Sequence, residues 1–193
     1  MPAHTVILTA DEWATVARLG HRRQDPKVDR PHARSNKVDT HTSEVGVHLL
    51  GIMGEVCFAR WSGLTIDTEE HRGGDGGVDF TMRCGLTVDV KTCRRPGDEL
   101  PLISTQVGKA LTAQVAVLVT KCEGGGVIRG WANACDFIRL GKYANYLGRA
   151  DSDRLVIEQQ FLHDLKYLQW FDEQRVVWDW AAKSWVPTFN GGN

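Results

Sequence analysis

Three side chains in one short stretch, Asp79, Asp89 and Lys91, carry the chemistry most legible in this chain. Asp79 closes the run Gly73-Gly74-Asp75-Gly76-Gly77-Val78-Asp79, and Asp89-Val90-Lys91 begins ten residues later. Val78, Phe80 and Met82 alternate with Asp79, Thr81 and Arg83. Leu86, Val88 and Val90 alternate with Thr87, Asp89 and Lys91. A period of two marks strands with one apolar and one polar face, so the stretch reads as a β-hairpin. A loop of Arg83-Cys84-Gly85, with Gly85 in the left-handed position, sets Met82 opposite Leu86, Phe80 opposite Val88 and Val78 opposite Val90. The same register sets Asp79 opposite Asp89, with Lys91 two residues along on that face. A two-residue loop would slip the register and mix the faces. Like charges directly opposite destabilise a strand pair, and a structural role alone gives no reason to place them so. Carboxylate oxygens are the hard ligands that Mg²⁺ or Mn²⁺ prefers, and a bound cation accounts for the pair. A surface hairpin with scattered charges is the plainer alternative.

The stretch Asp79…Asp89-Val90-Lys91 resembles the core motif of the PD-(D/E)XK nuclease superfamily. Gly74-Asp75-Gly76-Gly77-Val78-Asp79 is similar to the Gly-Asp-Gly-Gly-(Ile/Val)-Asp run of the Mrr-like restriction-endonuclease branch and to the same region of small phage-borne nucleases. Gly51-Ile52-Met53-Gly54-Glu55-Val56 matches the family element in which a helix before the hairpin carries an extra Glu. Two departures stand out: Val78 rather than Pro precedes Asp79, and Asp89 occupies a position where Glu is commoner. The motifs span residues 43 to 92. The resemblance implies a restriction-endonuclease-like α/β fold, a central mixed β-sheet flanked by helices. It also implies a Mg²⁺- or Mn²⁺-dependent deoxyribonuclease, an endonuclease of phage or mobile-element type. On that pattern Asp79 and Asp89 hold the metal together with the carbonyl oxygen of Val90. Glu55 serves a second metal or its water, and Lys91 orients the attacking water and helps deprotonate it. Gln106 takes the place of a Gln that contacts phosphate or site water in some members. The alternative is the same fold with hydrolysis lost, acting as a DNA- or protein-binding module.

The elements that must position these groups follow from capping and periodicity. Thr9-Ala10-Asp11-Glu12 fits a capping box and starts a helix through about Arg22. Thr42 or Ser43 caps a second helix running to about Trp61. It is apolar through Val45, Leu49, Ile52, Met53, Val56 and Phe58, and is broken up by Gly46, Gly51 and Gly54. Each glycine costs up to ~1 kcal/mol against Ala in a helix interior, which points to close packing or ligand access. Glu55 amid these apolar residues needs a partner: a metal or Lys91, or Arg60 or Arg72 at an exposed edge. Leu64–Thr68 reads as a strand, Glu69 to His71 as loop surface, and Asp75 as a turn residue between glycines. Leu100–Ser104 is a short strand and Ala113–Thr120 a buried one. Gly124-Gly125-Gly126 turns the chain so that Val127–Trp131 pairs back. Asn133 or Asp136 begins a helix toward Leu140, and Arg154–Tyr167 holds a strand and then a helix. Val176–Trp180 and Ser184–Val186 form a closing hairpin.

The chain is 193 residues with net charge −1, 42% hydrophobic and 24% charged. These values suit one soluble domain, divided into residues 1–40 (helix and basic arm), 41–135 (catalytic core) and 136–193 (C-terminal helices and hairpin). Near-neutral charge means that binding DNA depends on local cations. Arg94 and Arg95 follow directly on Lys91. The segment from residue 21 to 37 holds six Lys or Arg, Arg22, Arg23 and Arg34 among them, against Asp25 and Asp29. That segment is either a solvated loop or an arm on phosphates. The five cysteines show no Cys-x-x-Cys pair and read as reduced thiols of a cytoplasmic protein. Three of the seven Trp lie after residue 175, as packing over the core or a base-stacking platform. No signal peptide or membrane span is expected, and a homodimer is left open.

Overall fold

The computed structural model describes residues 3–22, 44–66, 77–94, 102–106, 112–145, 153–174, 176–179 and 184–187. It is a mixed α/β structure built on a mixed five-stranded sheet. The elements are β1 (His4–Ile7), α1 (Ala10–Arg22), α2 (Glu44–Ser62), β2 (Phe80–Thr81), β3 (Thr87–Cys93), β4 (Leu102–Gln106) and β5 (Val115–Cys122). They continue as β6 (Gly125–Asn133), α3 (Ala134–Leu140), β7 (Lys142–Asn145), β8 (Asp153–Glu158), α4 (Leu165–Gln174), β9 (Val176–Asp179) and β10 (Ser184–Pro187). The main sheet runs β1-β6-β5-β3-β2. Only the β3–β5 pair is parallel. A second sheet, β4-β8-β7, is antiparallel throughout.

Helix boundaries follow the capping signals. The Thr9 hydroxyl accepts from the Glu12 N–H at 3.3 Å and the Glu12 carboxylate accepts from the Thr9 N–H at 2.6 Å, closing the box at the start of α1. Asn133 and Asp136 form the same reciprocal box at the start of α3. The expected strand over Leu64–Thr68 is corrected: residues 64–66 are irregular and carry no strand pairing, and 67–68 lie outside the described residues. The glycine turn narrows to Glu123-Gly124, with Gly125 and Gly126 already paired in β6. The short strands β1 and β7 carry no clear period-two pattern and were not expected from the sequence.

Two apolar layers result. On one face of the main sheet, Ile52, Met53, Val56 and Phe58 of α2 pack on Val88, Val90, Val115, Val117 and Val119. On the other face Ala116, Leu118 and Ala132 meet Phe137, Ile157 and Leu162. The helix glycines serve close approach. A Cβ on Gly54 would lie 2.0 Å from Thr92 Oγ1 in β3, and one on Gly20 would lie 2.5 Å from Leu49. Gly51 meets nothing within 4 Å. Helix α2 therefore rests on β3 directly beside Lys91.

Candidate active site

The hairpin forms with the expected turn. Gly85 takes φ +87°, the left-handed region that a side chain disfavours. Its N–H donates to the Met82 carbonyl at 2.8 Å, and the Met82 N–H donates to the Leu86 carbonyl at 2.9 Å. Phe80 then faces Val88 and Thr81 faces Thr87, as the alternation requires. Phe80 is fixed from outside the sheet by Phe58 of α2, their ring centroids 5.1 Å apart.

Beyond Phe80 the ladder departs from the expected register. Asp79 does not form a rung with Asp89, nor Val78 with Val90. The Asp79 N–H donates to the Val88 carbonyl at 2.8 Å, and Asp79 Oδ2 accepts the Val90 N–H at 2.6 Å. The carboxylate has replaced the strand partner where β2 ends. A short charge-assisted hydrogen bond of this kind fixes the side chain more firmly than a neutral one. A strand residue's N–H and C=O leave along the same edge, so the Val90 carbonyl is directed to the edge where Asp79 sits.

Asp89 and Lys91 lie on the face of β3 turned away from α2, by alternation with Val88, Val90 and Thr92. In the parallel pairing Asp89 stands beside Ala116 and Lys91 beside Leu118. Asp89 is 8% exposed, and its Oδ2 is 2.6 Å from Lys91 Nζ. Burial of a carboxylate is costly without such a partner. A cleft of about 340 Å³ opens at the β2 edge, lined by Leu64, Thr65, Val78, Asp79, Phe80 and Thr81.

Glu55 is buried, at 6% exposure, in the core-facing helix α2. Among the described residues no three His, Cys, Asp or Glu come together in an arrangement able to hold a metal. The Asp79 carboxylate and the Val90 carbonyl are at the β2–β3 edge, and Asp89 is the neighbouring residue on β3. Their donor atoms are all oxygen, which suits a hard divalent cation. Arg94 is exposed immediately after β3, and Arg22 is exposed at the end of α1. The main chain of Gln106 ends β4, paired with Arg154. Arg23, Arg34, Arg72, Arg95, His71 and Asp75 lie outside the described residues.

The two buried cysteines, Cys57 and Cys84, offer no competing nucleophile. All five cysteines are free thiols. Burial pushes the Cys57 thiol up to about 12, with Cys122 and Glu12 adding to the effect. Burial foremost, and the Asp172 charge as well, raises Cys84. Thiolate is the reactive form, and both side chains are held as thiols. No described helix is long and apolar enough to cross a membrane.

One contact had no local signal. Asp172 in α4 accepts the Cys84 N–H at 3.1 Å, bringing the last turn of the helix onto the tip of the hairpin across 88 residues of sequence. Comparison of the chain with protein-family models, curated proteins and solved structures finds no match.

Proposed function

We propose that this chain is a Mg²⁺- or Mn²⁺-dependent deoxyribonuclease of restriction-endonuclease-like fold. The observation that carries the reading is the Asp79 carboxylate seated on the Val90 N–H at the end of β2, next to the Asp89–Lys91 ion pair on β3. The resemblance of Asp79…Asp89-Val90-Lys91 to the PD-(D/E)XK motif supports it. The mixed sheet with helix α2 across one face is compatible with that fold.

Asp79, Asp89 and the Val90 carbonyl would hold the cation, which when bound supplies Lewis-acid polarisation of the phosphodiester and lowers the pKa of an attacking water. Asp79 is oriented for this by the Val90 N–H, and the partial burial of Asp89 raises the strength of its field. Lys91 Nζ, drawn to Asp89 Oδ2, has its charge available to the phosphate as negative charge builds in the transition state. It also places a donor against the attacking water. Arg94, exposed beyond Lys91, extends the cationic surface toward a flanking phosphate. Glu55, buried in α2, would serve a second cation or its water. The second reading is a nuclease fold that grips DNA without cutting it.

A substrate panel separates the two readings. Duplex, flap, junction and single-stranded DNA are incubated with the protein in Mn²⁺ and in chelator. The nuclease reading expects metal-dependent cleavage of at least one substrate. Binding of those substrates with no cleavage in Mn²⁺ or Mg²⁺ would establish the second reading instead.

A further inference from the structure

We propose that Asp172 is a positioning residue that holds β2 in the register on β3 that seats the Asp79 carboxylate on the Val90 N–H, an inference that rests on the nuclease reading above. Asp172 lies in the last turn of α4 and is only 8% exposed. Both circumstances disfavour a carboxylate. Negative charge at a helix C-terminus opposes the helix dipole, and burial removes its hydration. Packing alone would place an apolar side chain or an amide there.

What the carboxylate does is reach the turn. In Met82–Leu86 the Gly85 N–H is taken by the Met82 carbonyl and the Met82 N–H by the Leu86 carbonyl. The Cys84 N–H is taken by Asp172 Oδ1 at 3.1 Å. Cys84 itself is fully buried, so this amide has a protein partner where water would otherwise be needed.

The hairpin depends on such support. It has two paired positions, Phe80 with Val88 and Thr81 with Thr87. A ribbon of that length is marginal alone. Phe58 steadies it at Phe80 and Asp172 steadies it at the tip. Strand β3 is anchored to β5 by six paired positions, so a slip of one residue falls on β2 and inverts its side chains. It would lift the Asp79 carboxylate from the Val90 N–H, while Asp89 and Lys91 keep their face through the pairing of β3 with β5. The hydrogen bond at the tip and the carboxylate at the far end are therefore two ends of one register.

Amide hydrogen exchange on the full chain tests this without turnover, using Asp172→Ala and Asp172→Asn. The Asn variant keeps an oxygen acceptor for the Cys84 N–H. In Asp172→Ala the amides of Met82, Gly85 and Val90 should exchange about tenfold faster, while Val117 and Ile128 in the central strands stay within about threefold of the parent. Asp172→Asn should restore all three hairpin amides, and Mn²⁺-dependent cleavage should fall and recover with Val90. Equal acceleration of hairpin and central-strand amides would make Asp172 a general stability residue and overturn the proposal. Unchanged hairpin amides in Asp172→Ala would overturn it too. If the parent cleaves no DNA but the selective exchange pattern holds, the nuclease reading falls and the hold of Asp172 on the hairpin stands.

Discussion

At the scale of single residues, Asp89 has two suitors. Its Oδ2 is 2.6 Å from Lys91 Nζ, and the same carboxylate is the proposed cation ligand. The ammonium and the cation compete for it, because both draw on the same negative charge. Lys91→Met should therefore bind Mn²⁺ at least as tightly as the parent while cleaving DNA on the order of a hundredfold more slowly. Calorimetric titration with Mn²⁺, paired with a cleavage time course, checks both halves. Loss of Mn²⁺ binding in Lys91→Met would mean that the lysine builds the site rather than competing in it. Mn²⁺ should also raise the melting temperature of the parent, by the equivalent of about 2.7 kcal/mol at a hundredfold excess over Kd. The melting temperature of Asp89→Asn should not respond; an equal rise in both proteins would place the metal elsewhere.

At the scale of elements, the contact between α2 and β3 supports the candidate site, and the cap of α3 fixes the second apolar layer. Gly54→Ala would gain up to ~1 kcal/mol of helix propensity. Its Cβ would, however, sit 2.0 Å from Thr92 Oγ1, and overpacking of this kind costs about 1–3 kcal/mol. A net loss of stability in chemical denaturation, with weaker cleavage, is the expected outcome. At α3, Asp136 accepts the Asn133 N–H at 2.8 Å and lies 2.9 Å from His163 Nε2. Burial pushes its carboxyl up, but His163 and the Asn133 N–H outweigh it and hold the group below its ordinary 3.8. A carboxyl depressed in the folded state adds stability above its unfolded pKa and loses it as pH falls through the folded one. The parent should lose more stability between pH 7 and pH 3 than Asp136→Asn does. Parallel losses in the two proteins would mean that the cap makes no acid-sensitive contribution.

These contacts also mark what was legible in the sequence. Thr9 with Glu12 and Asn133 with Asp136 are local signals, and both capping boxes form. The hairpin register was legible from the turn to Phe80, where Gly85 and the alternation agree, and not beyond it. The partner of the Asp79 carboxylate was not, since β2 is shorter than its apolar pattern and leaves the Val90 N–H open. Strand β1 has one buried residue in four and exists because β6 offers it an edge. Such non-local pairing leaves little trace in a short segment. Asp172 meeting Cys84 is likewise a product of the fold alone.

At the scale of the whole molecule, net charge −1 leaves no global attraction for DNA. The proposed DNA binding rests on local cations, and Arg94, exposed directly after β3, is a described candidate with Arg95 beside it in sequence. Arg94→Ala with Arg95→Ala should weaken duplex binding and lower the magnitude of the slope of log K against log salt by about 2. Binding measured in Ca²⁺, across a salt series, checks this; an unchanged slope would move the DNA path to another face. The mixed sheet, its two apolar layers and the helix pressed against β3 hold the Asp89–Lys91 pair and the strand end that carries Asp79. The most direct test is the cleavage of supercoiled plasmid and single-stranded DNA by the parent and by Asp89→Asn in Mn²⁺, with the fold of both followed by circular dichroism. The account predicts metal-dependent cleavage by the parent and none by the equally folded variant. Cleavage by Asp89→Asn at the parent's rate, or none by the folded parent in Mn²⁺ or Mg²⁺, would contradict it.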